Sequence, residues 1–200
     1  MKSLYGRLEV ISGPMFSGKT ESLIARLRER EKAGEKVLAA RPAIDTRLVP
    51  GLLMSHNGTS YPAVVVGGDE GLSRFVDGAD VLGIDEAQFF SKELAAALKP
   101  LMAQSINLIV AGLDLDYRGR PFESLRGLTR LADSWSRLVA VCELCGRTAT
   151  HTQRVIDGLP APLEDTTVRI GSHELYEARC ASCHASEEAL RPQFAHRQPG

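Results

Sequence analysis

The 200 residues contain no apolar run that approaches a membrane span: the longest, Ala63–Val66, Leu94–Leu98 and Leu108–Gly112, are far too short. The first ten positions, Met1 to Val10, lack the apolar stretch of a secretory leader. A cytoplasmic protein without a membrane partner is therefore expected. Charge of one sign is also missing. Lys+Arg number 24 and Asp+Glu 25, a formal net charge of −1, so no basic excess exists to neutralise a nucleic-acid backbone. The sequence has no internal repeat, no low-complexity tract and no Asn-Lys-x-Asp guanine-reading motif. Nor has it any cysteine before position 142.

What is present suits a globular fold. Hydrophobic residues make up 44% and charged residues 24%, enough to bury a core in one domain or in one domain with a small appendage. Between Arg7 and Val141, short β-rich runs (Leu8–Ile11, Lys36–Ala40, Ala63–Val66, Val81–Ile84, Asn107–Ala111, Leu138–Val141) alternate with helical stretches. That alternation predicts an α/β domain over residues 1–141, built on a mainly parallel sheet with helices on both faces. Thr20–Ala33 and Ser91–Met102 carry leucines and isoleucine at helical spacing, and the uniformly apolar Asn107–Ala111 reads as a central strand. Residues 142–190 hold too little apolar material for an independent core and need a staple. Residues 191–200, with two prolines and no periodicity, are expected to be a disordered tail.

The first strand runs straight into Gly13-Pro-Met-Phe-Ser-Gly18-Lys19-Thr20, and a helix follows. This is the G-x-x-x-x-G-K-[ST] phosphate loop in the context it requires, so Gly13, Met15, Phe16, Ser17 and Gly18 are read as the cradle for ATP phosphates. Lys19 is expected to reach the β- and γ-phosphates, and the Thr20 hydroxyl to bind Mg²⁺. At the end of a later apolar strand stand Asp85 and Glu86. Asp85 suits the magnesium side, and Glu86 suits the general base that takes a proton from a nucleophile. Loop and carboxylates alone serve ATP hydrolases and kinases equally.

Cys142-x-x-Cys145 and Cys180-x-x-Cys183 form two knuckles, the pattern of a structural tetrahedral Zn²⁺ with every position filled. His184, next to Cys183, is read as a surface residue rather than a substitute ligand. The metal would close Thr148–Arg179 into a loop anchored at its base. From Cys142 to His184, Arg147, Arg154, Arg169 and Arg179 are outnumbered by Glu143, Asp157, Glu164, Asp165, Glu174 and Glu177. That balance disfavours a ribbon that binds nucleic acid.

The phosphate loop, Ala43-Ile-Asp45-Thr46-Arg47, Ser55-His-Asn-Gly58, Asp85-Glu86-Ala-Gln88-Phe89, Gly112-Leu113-Asp-Leu-Asp-Tyr117-Arg118-Gly-Arg-Pro-Phe122 and Ala140-Val-Cys142-x-x-Cys145 occur in that order. As an ordered set they resemble the cellular (type II) thymidine kinase family over about Leu8–His184. The resemblance implies a P-loop NTPase (RecA-like) fold with a small C-terminal zinc-binding β lasso. It implies transfer of the ATP γ-phosphoryl group to thymidine or deoxyuridine in nucleotide salvage for DNA synthesis, with Mg²⁺, structural zinc, homotetramers and feedback inhibition by dTTP. Carried onto matching positions, it makes Glu86 the base at the 5′-hydroxyl and puts Gln88 beneath the pocket. Met15, Phe89, Leu113, Tyr117 and Phe122 would surround the base and deoxyribose, with Asp45 and Arg47 near nucleotide and sugar. Thr152 and Tyr176 would line the lasso, and backbone groups near Ile170 and Gly171 would read the thymine edge. The family often has Gly-Gly where this chain has Gly171-Ser172, and Gly where it has Ala87.

Overall fold

The computed structural model describes residues 5–44, 51–162 and 175–185. In chain order it comprises β1 (Leu8–Ser12), α1 (Lys19–Lys32), β2 (Val37–Pro42), β3 (Leu52–Met54), β4 (Ser60–Pro62), β5 (Val64–Val66) and β6 (Val81–Ile84). There follow α2 (Leu94–Ala103), β7 (Asn107–Gly112), α3 (Glu123–Leu131), β8 (Ser134–Arg137), β9 (Ala140–Val141), β10 (Thr148–Ala149), β11 (His151–Ile156), β12 (Leu159–Pro160) and β13 (Tyr176–Arg179). Six strands, β5-β2-β6-β7-β1-β8, form one sheet, and every pairing in it is parallel. The carboxyl ends of β1, β6 and β7 therefore open on the same edge, where α/β sheets hold their ligands.

Alternation along the strands supplies two cores. Leu8, Val10, Leu82, Ile84, Leu108 and Val110 pack with Leu94, Leu98, Leu101 and Met102 of α2 and with Leu125 and Leu128 of α3. Their neighbours Ile11, Ala39, Val81, Ile109 and Ala111 face the other way, against Leu23, Ile24 and Leu27 of α1 and Leu53 and Tyr61 of the β3–β4 hairpin. Strand β7 is buried on both faces and central, as its composition predicts. Helix α1 begins at Lys19 after the left-handed Gly18 and carries acidic Glu21 in its first turn. It lies so close to the sheet that a Cβ on Gly83 would stand 2.7 Å from Leu27 Cδ1. Gly83→Ala should cost about 1–3 kcal/mol by overpacking a buried leucine, read as a lower denaturation midpoint at unchanged slope.

Two features differ from expectation. The sixth sheet strand is Ser134–Arg137, not Leu138–Val141. An edge strand with one free flank does not need an apolar sequence, so Ser-Trp-Ser-Arg escapes a search for buried strands. Leu138 only extends the contact by donating its N–H to Ser12 O (2.7 Å), while Ala140–Val141 pairs antiparallel with β10. Helix α3, which the sequence reading passes over, is nine residues long and packs against α2. Among the described residues no helix is long and apolar enough to cross a membrane.

Candidate functional site

At the end of β1 the chain turns back through Gly13 (φ 148°), where a Cβ would come within 2.5 Å of Leu138 O, and through Phe16 (φ 64°) and Gly18 (φ 79°). Ser17 Oγ and Lys19 Nζ both donate to Pro14 O, at 2.8 and 2.6 Å, which closes the cradle. Thr20 Oγ1 donates to Asp85 Oδ2 at 2.8 Å, so the first residues of α1 meet the end of β6. The two oxygens are hard donors of the kind that Mg²⁺ takes directly or through water, and they fit that ion. Burial, and then the neighbouring Glu86 charge, push the Asp85 carboxyl up to about 7.

A folded-state pKa above the unfolded value means the metal-free folded protein holds the proton more tightly, so this group's contribution to stability is lost as pH rises toward 7. A divalent cation needs the ionised carboxylate. Magnesium–nucleotide affinity measured by calorimetry should therefore fall by up to about tenfold per unit below pH 7, with proton release on binding. Affinity constant from pH 5.5 to 8 would contradict this.

Glu86 adopts the left-handed conformation (φ 52°, ψ 42°) unusual for a residue with a Cβ. Its N–H donates to Asp85 Oδ1 (2.9 Å), and its carbonyl accepts from Phe89 N (3.1 Å) across the short 3₁₀ turn Ala87–Phe89. Gln88 Nε2 donates to Glu86 Oε2, and Gln88 Oε1 accepts the Leu113 N–H at 2.9 Å. Because a main-chain amide fixes the carbonyl end of Gln88, its NH₂ must face the Glu86 carboxylate. The carboxylate is thus aimed from β7 as well as from its own loop.

Met15, Tyr117, Thr152 and Tyr176 come together beside the cradle. Met15 N donates to Thr152 Oγ1 at 2.9 Å, joining the phosphate loop to β11. Tyr117, Ala161 and Tyr176 form a small buried cluster, with Met15, Phe16 and Leu175 packed against it. Tyr117 Oη donates to Pro162 O (3.0 Å), and the Arg118 and Arg154 guanidiniums lie 5.0 and 5.7 Å from its ring centre. Phe89 is half-buried at the end of its turn, Leu113 is half-buried just beyond β7, and Phe122 packs into the α2–α3 core. Asp45, Arg47, Ile170, Gly171 and Ser172 lie outside the described residues. Arg154, fully buried in a polar-looking strand, and the Met15–Thr152 bond carry no signature that sequence reasoning finds.

The Sγ atoms of Cys142, Cys145, Cys180 and Cys183 all lie within 4.8 Å of one another, and none is in a disulfide. Cys145 and Cys180 are 3.6 Å apart, against about 3.8 Å between sulfurs around a tetrahedral Zn²⁺ with bonds of about 2.3 Å. The Arg147 side chain and backbone draw the Cys145 thiol down to about 6, while hydrogen bonding from Cys145 and Cys180 pushes Cys183 up to about 12. Four sulfurs this close cannot all ionise unless a cation joins them, so the set fits a thiophilic metal. His184 is not a surface residue: it is 9% exposed, with Nε2 3.0 Å from Tyr117 O and its ring stacked on His151 at 4.7 Å. The tight turn after Cys180 directs it inward, which spacing alone does not reveal.

Comparison with known proteins places the chain in a family. The profile of the family described as "Thymidine kinase" matches residues 6–184. A protein of Coprothermobacter proteolyticus named thymidine kinase is 46% identical over 179 residues, which cover 90% of each chain. The match takes in the cradle, both carboxylates and all four cysteines, and by it the chain belongs to the thymidine kinase family.

Proposed function

We propose that the chain is an ATP:thymidine 5′-phosphotransferase that makes dTMP and ADP for salvage, with deoxyuridine as a second substrate. The observation that carries the reading is the joining of the Lys19–Thr20–Asp85 corner to a Glu86 carboxylate aimed by Gln88. The thymidine 5′-O–H gives its proton to Glu86 as the oxygen attacks the γ-phosphorus. The bond from that phosphorus to the β–γ bridging oxygen breaks, and ADP leaves. Gly13–Thr20 cradle the phosphates, Lys19 balances their charge, and Thr20 and Asp85 would hold Mg²⁺, which supplies charge neutralisation when bound.

In this reading Met15, Phe89, Leu113, Tyr117 and Phe122 enclose the nucleoside, Asp45 and Arg47 approach the sugar, and Thr152, Ile170, Gly171 and Tyr176 belong to the lasso. Residues 142–190 act as that lasso domain, closed at its base by one structural zinc and following the 1–141 nucleotide-binding domain; 191–200 lie outside the described residues. A homotetramer in the cytoplasm is the assembly expected. The flank of β8 that no strand among the described residues pairs with, with exposed Leu131, Trp135, Val139 and Val141 nearby, supports self-association.

The test is ATP consumption with thymidine, with a nucleoside monophosphate, with single-stranded DNA and with no acceptor. Stimulation by thymidine alone is expected; equal consumption in all four would point to a hydrolase. With its base under the lasso and its phosphates in the cradle, dTTP should compete with thymidine and be antagonised by ATP. Inhibition that neither substrate relieves would refute that mode.

A further inference from the structure

We propose that His184 is a positioning residue for the nucleoside pocket: it projects from the second metal knuckle and holds the main-chain carbonyl of Tyr117, so the metal centre sets the pose of the loop beside the substrate. What Tyr117 faces rests on the kinase reading; the clamp itself rests on geometry.

The backbone is fixed on both sides of the histidine. His184 N donates to Cys180 O at 2.9 Å, and Ala185 N donates to Gln153 Oε1 at 2.8 Å. Nε2 lies 3.0 Å from Tyr117 O, and since a carbonyl can only accept, the proton must be on Nε2. One ring face is stacked on His151 at 29°, and Thr150 Oγ1 holds His151 Nδ1 at 3.0 Å. The loop that His184 grips is stiff. Asp116 Oδ1 accepts the N–H groups of both Arg118 and Arg120 at 2.9 Å, so displacing the Tyr117 carbonyl displaces the ring. Gly119 settles onto the two imidazoles, and a Cβ there would meet His184 Cε1 at 3.6 Å and His151 Cδ2 at 3.8 Å. The far end of the tyrosine is held by Pro162 O. Tyr117 is thus pinned at its carbonyl by the knuckle and at its hydroxyl by Pro162, two residues beyond β12.

The experiment uses the full-length enzyme with its metal. His184→Phe keeps a ring on His151 but has no donor, while His184→Gln restores an N–H of similar reach. For His184→Phe the thymidine KM, and its Kd by calorimetry, should rise about fivefold, the effect of losing one neutral hydrogen bond. The ATP KM should stay within about twofold, kcat should be retained, and His184→Gln should return most of the thymidine affinity. Metal analysis must give the same zinc content for all three proteins. Loss of zinc in His184→Phe, equal changes for thymidine and ATP, or no rescue by Gln would each overturn the proposal. A second readout needs no variant. The ¹⁵N spectrum of the wild-type histidines should show His184 as the Nε2–H tautomer, and an Nδ1–H form would rule the clamp out even if both variants misfolded. A wild-type enzyme that leaves thymidine unphosphorylated would remove the kinase reading, while the tautomer and zinc measurements would still decide the clamp.

Discussion

Glu86→Gln should lower turnover with thymidine by about 10²–10⁴-fold while leaving ATP and thymidine binding close to wild type. The amide has the size of the carboxylate, and its carbonyl can still accept from Gln88 Nε2, so the packing around the turn survives. The main-chain contacts at position 86, to Asp85 Oδ1 and from Phe89 N, do not involve the side chain at all. What disappears is the capacity to receive the 5′-hydroxyl proton. Single-turnover rates with saturating substrates isolate that loss from binding. A variant that kept more than about a tenth of the wild-type rate would show that the proton goes elsewhere.

Stripping the metal, or replacing Cys145 by serine, should weaken thymidine binding by more than about tenfold and ATP binding by less than about threefold. Structural zinc in small peptides contributes roughly 10–16 kcal/mol, as much as the whole stability of many domains, so residues around β9–β13 should not hold their packing without it. Those strands hold Thr152 and Tyr176, whereas the cradle is carried by β1, β6 and α1 and meets them only through Met15 N and the Phe16 ring, so its loss should be the smaller. Metal analysis should find one zinc per chain in the native enzyme. Absence of metal, or thymidine affinity unchanged after chelation, would contradict the account.

The parts legible in the sequence are those whose physics is local. The cradle is a strand, a glycine turn and a helix in immediate succession, and β6 and β7 are apolar because both faces are covered. The two cysteine pairs are legible because two Cys-x-x-Cys knuckles in one chain have the spacing of a four-thiolate metal set, and the fold brings their sulfurs together. Strand β8 is illegible because an edge position relaxes the demand for apolar residues, and the inward direction of His184 is hidden because the knuckle's turn, not its composition, decides which way it points. Contacts that join distant stretches, such as Met15 to Thr152 across 137 positions and Gln88 to Leu113, leave no periodic trace. The roles of Met15, Gln88, Thr152 and Tyr176 came from resemblance, and physical contacts among them are visible only in the folded chain.

Phe16 carries one more consequence. It sits at positive φ within the cradle, yet its ring packs against the tyrosine cluster and against the cluster built on Cys142 and Cys180. A ligand that shifts the cradle backbone moves a side chain on which both neighbouring clusters lean. In the proposed reading, filling one half of the site should then alter the affinity of the other, and linkage would make the effect reciprocal: nucleoside affinity measured by calorimetry with and without nucleotide should change by the same factor as nucleotide affinity with and without nucleoside. Phe16 is thus one hydrophobic fulcrum between the loop after β1 and the two clusters beside it.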